Sequence, residues 1–399
     1  MDAMALHQEA AYERLYRWTL SNLRTITSDS VETNSQIFKA MQCLQERELL
    51  FKYAIDEFII VRRATVVRNF IECLTRGKTT GSIPIESHSS DSIRYIGDIF
   101  AWIHQALASE KEILESLIKL CNQEDIKQTK LIESLLSSIS ESLSRPLKVR
   151  VEQALVSEQN VANKKIIPAM HYRIKNLIRF YHHTMSQKLL SDAVLLYTIE
   201  ELYTLSYKIF FNSLNYHCVS KIGSTDANEI ESPSVDLGPS QSLNQIISTL
   251  QEVLSCQDSC SISIDDLKQD IPQILSTVID PLIRWCVISA SKLDPIEMAI
   301  FLLNSFDGIY SVICNYEYTY KYKEILQSQM DSHIETLISE QVSHIIAFLG
   351  LSSLYNAVIQ QDQLKMPLSS LSGCDALALQ TSMVRTHFQY QKYIYFFYP

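Results

Sequence analysis

From Phe51 to Arg76 the chain reads FKYAIDEFIIVRRATVVRNFIECLTR, with no glycine or proline until Gly77. Apolar residues recur at helical spacing through Phe51, Ile55, Phe58, Ile59, Val66, Val67, Phe70, Ile71 and Leu74. This pattern predicts one long helix closed at Gly77, because glycine takes the left-handed backbone of a helix C-cap at little cost. Charge on this apolar rod is the unusual part. Lys52 and Asp56, and Arg68 and Glu72, stand at i,i+4 and are expected to pair. Glu57, Arg62 and Arg63 have no opposite charge three or four residues away. They must face water or find partners on another helix or another protein, and an ion pair to a neighbouring helix is the expected role.

Long helices are also what the composition favours. The 399 residues include only 8 glycines, about 2%, against a typical ~7%. Sheets, barrels and dinucleotide folds spend glycine in turns and bulges. No stretch alternates with period two, and no fixed period of helical repeats recurs. Asp91 reads as the N-cap of a helix to about Leu120, and Pro168 as the start of HYRIKNLIRFYHHTM. Asp125 opens a helix expected to end near Leu143, with Pro146 starting another. Ser255 to Lys268 reads as a polar loop, and the helix Ile271–Ser291 is expected to break at Pro281. Asp294-Pro295 opens a region of two helices meeting near Gly308 or Tyr320.

The expected fold is all-α: an elongated stack of antiparallel helical bundles, a helical rod with no sheet. Its divisions are N-terminal helices over 1–76, including the core helix 47–76, a loop at 77–90, and a middle bundle at 91–222. A linker at 223–242, a C-terminal bundle at 243–361, and a loop with an aromatic tail at 362–399 complete it. The tail QYQKYIYFFYP crowds four tyrosines and two phenylalanines together without a polar face, and is expected to depart from the native reading frame.

A formal net charge of -10 excludes phosphate-backbone binding by the whole chain, so no nucleic-acid partner is expected. Nine irregularly spaced cysteines fit a reducing compartment rather than a disulfide framework. The N-terminus MDAMALHQEA has neither a basic leader nor an apolar core, so no signal peptide is read there. No uncharged apolar run reaches the ~20 residues of a transmembrane helix, and any membrane association is expected to be peripheral.

Site chemistry is sparse. Gly77-Lys78-Thr79 resembles the end of a P-loop, but Glu72 occupies the place of its first glycine, inside a helix. Cys256 and Cys260 have a zinc-compatible spacing but no second pair. His182 and His183 point about 100° apart on a helix, a poor arrangement for one metal. Asp265, Asp266 and Asp270 approach a D-D-x-x-D box, but the spacing fails at Gln269 and the surroundings read as loop. Basic groups at Arg145, Lys148 and Arg150, and at Lys164, Lys165, Arg173, Lys175 and Arg179, read as solvated patches. The alternative is contact with acidic lipids or partners. No catalytic residue, cofactor or metal is expected, and no enzyme.

The ordered strings Tyr12-Glu13-Arg14-Leu15-Tyr16-Arg17-Trp18, Asp56-Glu57-Phe58, Arg62-Arg63, Thr65-Val66-Val67-Arg68 and Leu74-Thr75-Arg76-Gly77 carry a family resemblance. So do Ala108-Ser109-Glu110-Lys111-Glu112, Phe180-Tyr181-His182-His183-Thr184 and Phe210-Phe211-Asn212-Ser213-Leu214. The series resembles the subunit 6 family of the conserved oligomeric Golgi complex, from about Ala11 to about Arg385. The resemblance implies a non-enzymatic, peripheral protein of the cytosolic Golgi face, built from helical rods. It implies partners in the lobe of subunits 5, 7 and 8, together with SNAREs, Rab GTPases and coat components. It also implies two departures: the family's N-terminal coiled coil does not precede Met1, and its final helices are replaced after Arg385. The alternative is a scaffold subunit of another tethering complex, exocyst-like.

Overall fold

A computed structural model describes residues 2–24, 35–77, 83–118, 125–159, 168–222, 233–256 and 264–348, with scattered residues between 351 and 384. The aromatic tail, Lys78, Thr79, Lys164, Lys165 and Cys260 lie outside the described residues. Among the described residues all regular structure is helical, so the all-α expectation holds.

The first unit comprises Met1–His217 with Glu252–Leu267. Its helices are α1 (Asp2–Leu23), α2 (Ser35–Leu44), α3 (Glu48–Thr75), α4 (Ser92–Ile118), α5 (Asp125–Gln159), α6 (Pro168–Ser186) and most of α7 (Val194–Ile222). A short 3-10 turn, Ile85–His88, precedes α4. Helix α3 ends where the sequence predicts: Gly77 has φ 72, the left-handed value that stops a helix without a Cβ clash. Asp91 caps α4, its Oδ1 accepting from the Arg94 amide at 3.2 Å.

Helix α4 is the hub. Its stripe Ile96, Ile99, Ile103, Leu107, Leu114 and Leu117 is buried, and α4 packs on α3, α5 and α6. Phe70 of α3 meets Trp102 at 5.0 Å between ring centroids, and Phe100 stacks on Tyr181 of α6 at 5.3 Å. Such pairs add about 0.5–1.5 kcal/mol beyond their buried area.

The second unit comprises Cys218–Gln251 with Lys268–Pro399. It contains most of α8 (Gln241–Ser255) and α9 (Ile264–Ala290), with α10 (Pro295–Ile313) and α11 (Tyr320–Phe348). Helices α10 and α11 pack together through Phe301, Leu302, Phe306, Ile309, Tyr322 and Leu326, all buried. They part near Tyr320 rather than at Gly308, which lies mid-helix with ordinary van der Waals room against Ile247.

The expected proline breaks and the expected loop at Asp265–Asp270 are both corrected by the structure. Helix α5 runs through Pro146 without a break, and α9 runs through Pro272 and Pro281. A proline removes one helical hydrogen bond, but leucines and isoleucines on both sides are buried, and their packing outweighs that loss. The region of Asp265, Asp266 and Asp270 is helical rather than loop. Lys268–Ala290 and Pro295–Ile313 are long and apolar enough to cross a membrane by length and composition alone, each with no more than two charged residues in its most apolar 18. Shares of 44% and 39% of those windows are buried within the protein.

Candidate functional site

The three isolated charges of α3 all meet opposite charges outside α3. Glu57 accepts from Arg24 Nε at 2.7 Å; Arg24 follows the C-terminus of α1, where a cation also complements the helix dipole. Arg62 forms a two-pronged pair with Glu110 of α4, its Nε donating to Oε2 at 2.8 Å and its Nη2 donating to Oε1. Their side chains are 2% and 5% exposed, so this pair is fully withdrawn from water. Arg63 pairs with Glu141 of α5 at the half-exposed surface. Helix α3 is thus tied to the residue after α1 at Glu57, and to α4 and α5 from the adjacent Arg62 and Arg63. The local pairs expected at Lys52–Asp56 and Arg68–Glu72 do not form among the described residues, where all four side chains are exposed.

The partners Glu110 and Glu141 are absent from the sequence-level site, though one carried a signal. Glu110 stands three residues after Leu107 and four before Leu114, on the buried stripe of α4. Arg62 likewise sits between Phe58 and Val66 on the buried stripe of α3. A charge in phase with a buried stripe needs a counter-charge, because solitary ion burial costs several kcal/mol.

On the opposite side α3 has a second apolar face. Ile60 is 60% and Ile71 46% exposed, with Ala64 also exposed and Val67 half-buried between them. They floor an open groove bounded by Arg63, Arg68, Glu72 and Arg76, with Ser142 of α5 on its wall.

Among the described residues the remaining candidates come together in no site. Cys256 is buried; its Sγ accepts from Arg173 Nε at 3.2 Å and its S–H donates to the Glu252 carbonyl at 3.0 Å. Burial pushes the Cys218 thiol up to about 11 and the Cys286 thiol up to about 12, which leaves them unreactive near neutrality. His182 Nε2 lies 3.5 Å from Glu200, and among the described residues no group of three His, Cys, Asp or Glu could hold a metal ion. Lys175 is not part of a solvated patch. It is 1% exposed, with its ammonium 5.0, 5.7 and 5.8 Å from the ring centres of Tyr172, Tyr203 and Tyr207. That cation–π cage locks α6 to α7.

With these faces in place, comparison with known proteins is informative. A crystal structure of the S. cerevisiae exocyst component Exo70p resembles this chain with a TM-score of 0.52 at 12% identity, covering 98% of this chain and 83% of that one. That likeness shows the fold alone. Among curated proteins, conserved oligomeric Golgi complex subunit 6 of Bos taurus is 44% identical over 99% of this chain and 58% of its own length. The Homo sapiens protein is 43% identical over the same shares. The Drosophila melanogaster protein is 38% identical over 93% of this chain and 57% of its own. The chain therefore spans a little over half the length of these relatives. The family described as Conserved Oligomeric Golgi complex subunit 6, C-terminal, matches residues 1–389. By that match the chain belongs to the conserved oligomeric Golgi complex subunit 6 family.

Proposed function

We propose that this chain acts as a non-enzymatic subunit of the Golgi vesicle-tethering complex for which its relatives are named. The observation that carries the reading is the family match over residues 1–389. A tether needs adhesion rather than chemistry, and α3 fits that need: Glu57, Arg62 and Arg63 are used in packing, and its open groove is floored by aliphatic side chains. The role is retrograde vesicle capture and Golgi maintenance, at the cytosolic face of the membrane. The partners are the lobe of subunits 5, 7 and 8, with SNAREs, Rab GTPases and coat components as the wider set. Each contact is weak alone and becomes effective through multivalency in the assembled complex.

The test is complementation. A tagged chain expressed in cells lacking their own subunit 6 is expected to co-purify with subunits 5, 7 and 8 and to concentrate at the Golgi. Recovery of none of them would overturn the proposal.

A further inference from the structure

The solvent face of α3 is patterned for a second helix. Leu49, Tyr53, Asp56, Ile60, Ala64, Val67 and Ile71 share one stripe about 80° wide at 3.6 residues per turn. Leu49, Ile60 and Ile71 stand eleven residues apart, as do Tyr53, Ala64 and Thr75. An eleven-residue period keeps the stripe nearly straight along the helix, the geometry of a seam against another rod. The buried face of the same helix, Ile55, Phe58, Val66 and Phe70, is already occupied by the core. An α-helix apolar on two opposite sides has two faces to cover, and among the described residues α1, α2, α4 and α5 pack on α3 while Leu49, Tyr53, Ile60, Ala64 and Ile71 stay exposed.

Charge narrows the choice of partner. Arg63 is committed to Glu141, but Arg68 and Arg76 form no ion pair among the described residues. They stand at the rim of the groove against the single carboxylate Glu72, in a chain whose net charge is -10. The lower groove, Ile60 to Arg76, is about 24 Å long at 1.5 Å per residue, roughly four and a half turns of a docked helix. An anionic membrane is a poor occupant: two free guanidiniums do not make a polybasic patch, and the acidic chain is repelled by such a surface.

We infer that the groove over Ile60, Ala64, Val67 and Ile71 docks one amphipathic helix of a partner protein, its apolar stripe flanked by acidic residues that meet Arg68 and Arg76. This rests on the reading of the chain as a subunit of a protein assembly, and names the chemistry of one of its contacts.

The experiment places photoreactive p-benzoylphenylalanine at Ile71 in the tagged full chain, irradiates cells, and identifies the cross-linked peptide by mass spectrometry. The expected product is a segment of another protein with helical apolar spacing and net negative flanks. Its yield should fall about tenfold in the Arg68→Glu/Arg76→Glu variant, whose circular dichroism melt should stay within a few degrees of the parent because both side chains are exposed. Cross-links to lipid, to a second copy, within this chain, or to a basic or neutral segment would overturn the inference, as would no cross-link or a yield unmoved by charge reversal. The two proposals fail separately. Co-purification of subunits 5, 7 and 8 without the Ile71 cross-link sinks the groove alone. The cross-link to an acidic helix without that co-purification sinks the Golgi assignment alone.

Discussion

Arg62 and Glu110 are 1% and 4% exposed, and each would be an uncompensated buried charge without the other. Among the described residues, Arg62 Nη1 finds no hydrogen-bond partner, so the pair's desolvation is not fully repaid. Removing one partner by Arg62→Met or Glu110→Leu is expected to cost about 3–5 kcal/mol. The double variant, which replaces the pair by apolar packing, should return most of that loss. A double-mutant cycle in urea measures this; single losses below about 1 kcal/mol would show that the pair is not withdrawn from water. Arg63–Glu141, with side chains 34% and 47% exposed, belongs to the surface class worth about 0–1 kcal/mol. Of the two adjacent arginines, Arg62 therefore sets how α3 meets α4, and Arg63 adds little to stability.

At the scale of elements, the prolines are the instructive case. Pro146 has no N–H to give the Ser142 carbonyl, so α5 forgoes one helical hydrogen bond there. Leu143, Leu147 and Val151 are nevertheless fully buried along the same face, which holds α5 in one piece against α3 and α4. Pro146→Ala is expected to stabilise the protein by about 1–2 kcal/mol: an interior proline costs about 3 kcal/mol, less the entropy the unfolded chain regains. Differential scanning calorimetry reads this as a higher Tm. A lower Tm would mean that α5 needs the proline bend to follow both neighbours.

For the whole molecule, acid is the expected weakness, and it is spread over both units. Burial is the first cause that holds His104, His182 and His333 below the ordinary histidine value. At His104 the nearby ammonium adds to it: Lys188 Nζ donates to Nε2 at 2.9 Å, which keeps that nitrogen unprotonated. The unfolded chain takes up these protons near pH ~6.5 while the folded chain does not. Stability therefore falls as the pH drops below about 7, until the folded-state histidines also protonate. His104→Gln is expected to flatten the dependence of the urea midpoint between about pH 7 and 5.5. An unchanged slope would rule out a contribution from His104.

Much of this was legible in the residues themselves. The helix ends at Gly77, Asp91 and Pro168 follow from local backbone chemistry, and the all-α class from spacing and glycine scarcity. Local rules failed at Pro146 and Pro281, where a local penalty competes with burial along a whole helix face. They failed again at Arg68–Glu72, where a favourable spacing was not enough to hold two exposed side chains together. The resemblance strings marked Glu57, Arg62 and Arg63 without saying what they touch.

Their partners lie 33, 48 and 78 residues away along the chain. Helical period and capping act within a turn or two, so the sequence by itself determined where helices form and which faces are apolar. Which apolar face of α3 is buried, which is left open, and which carboxylate meets each charge depend on how distant helices pack. Only the tertiary structure decided those, because the free energy that selects them comes from burial and ion pairing between helices rather than within one.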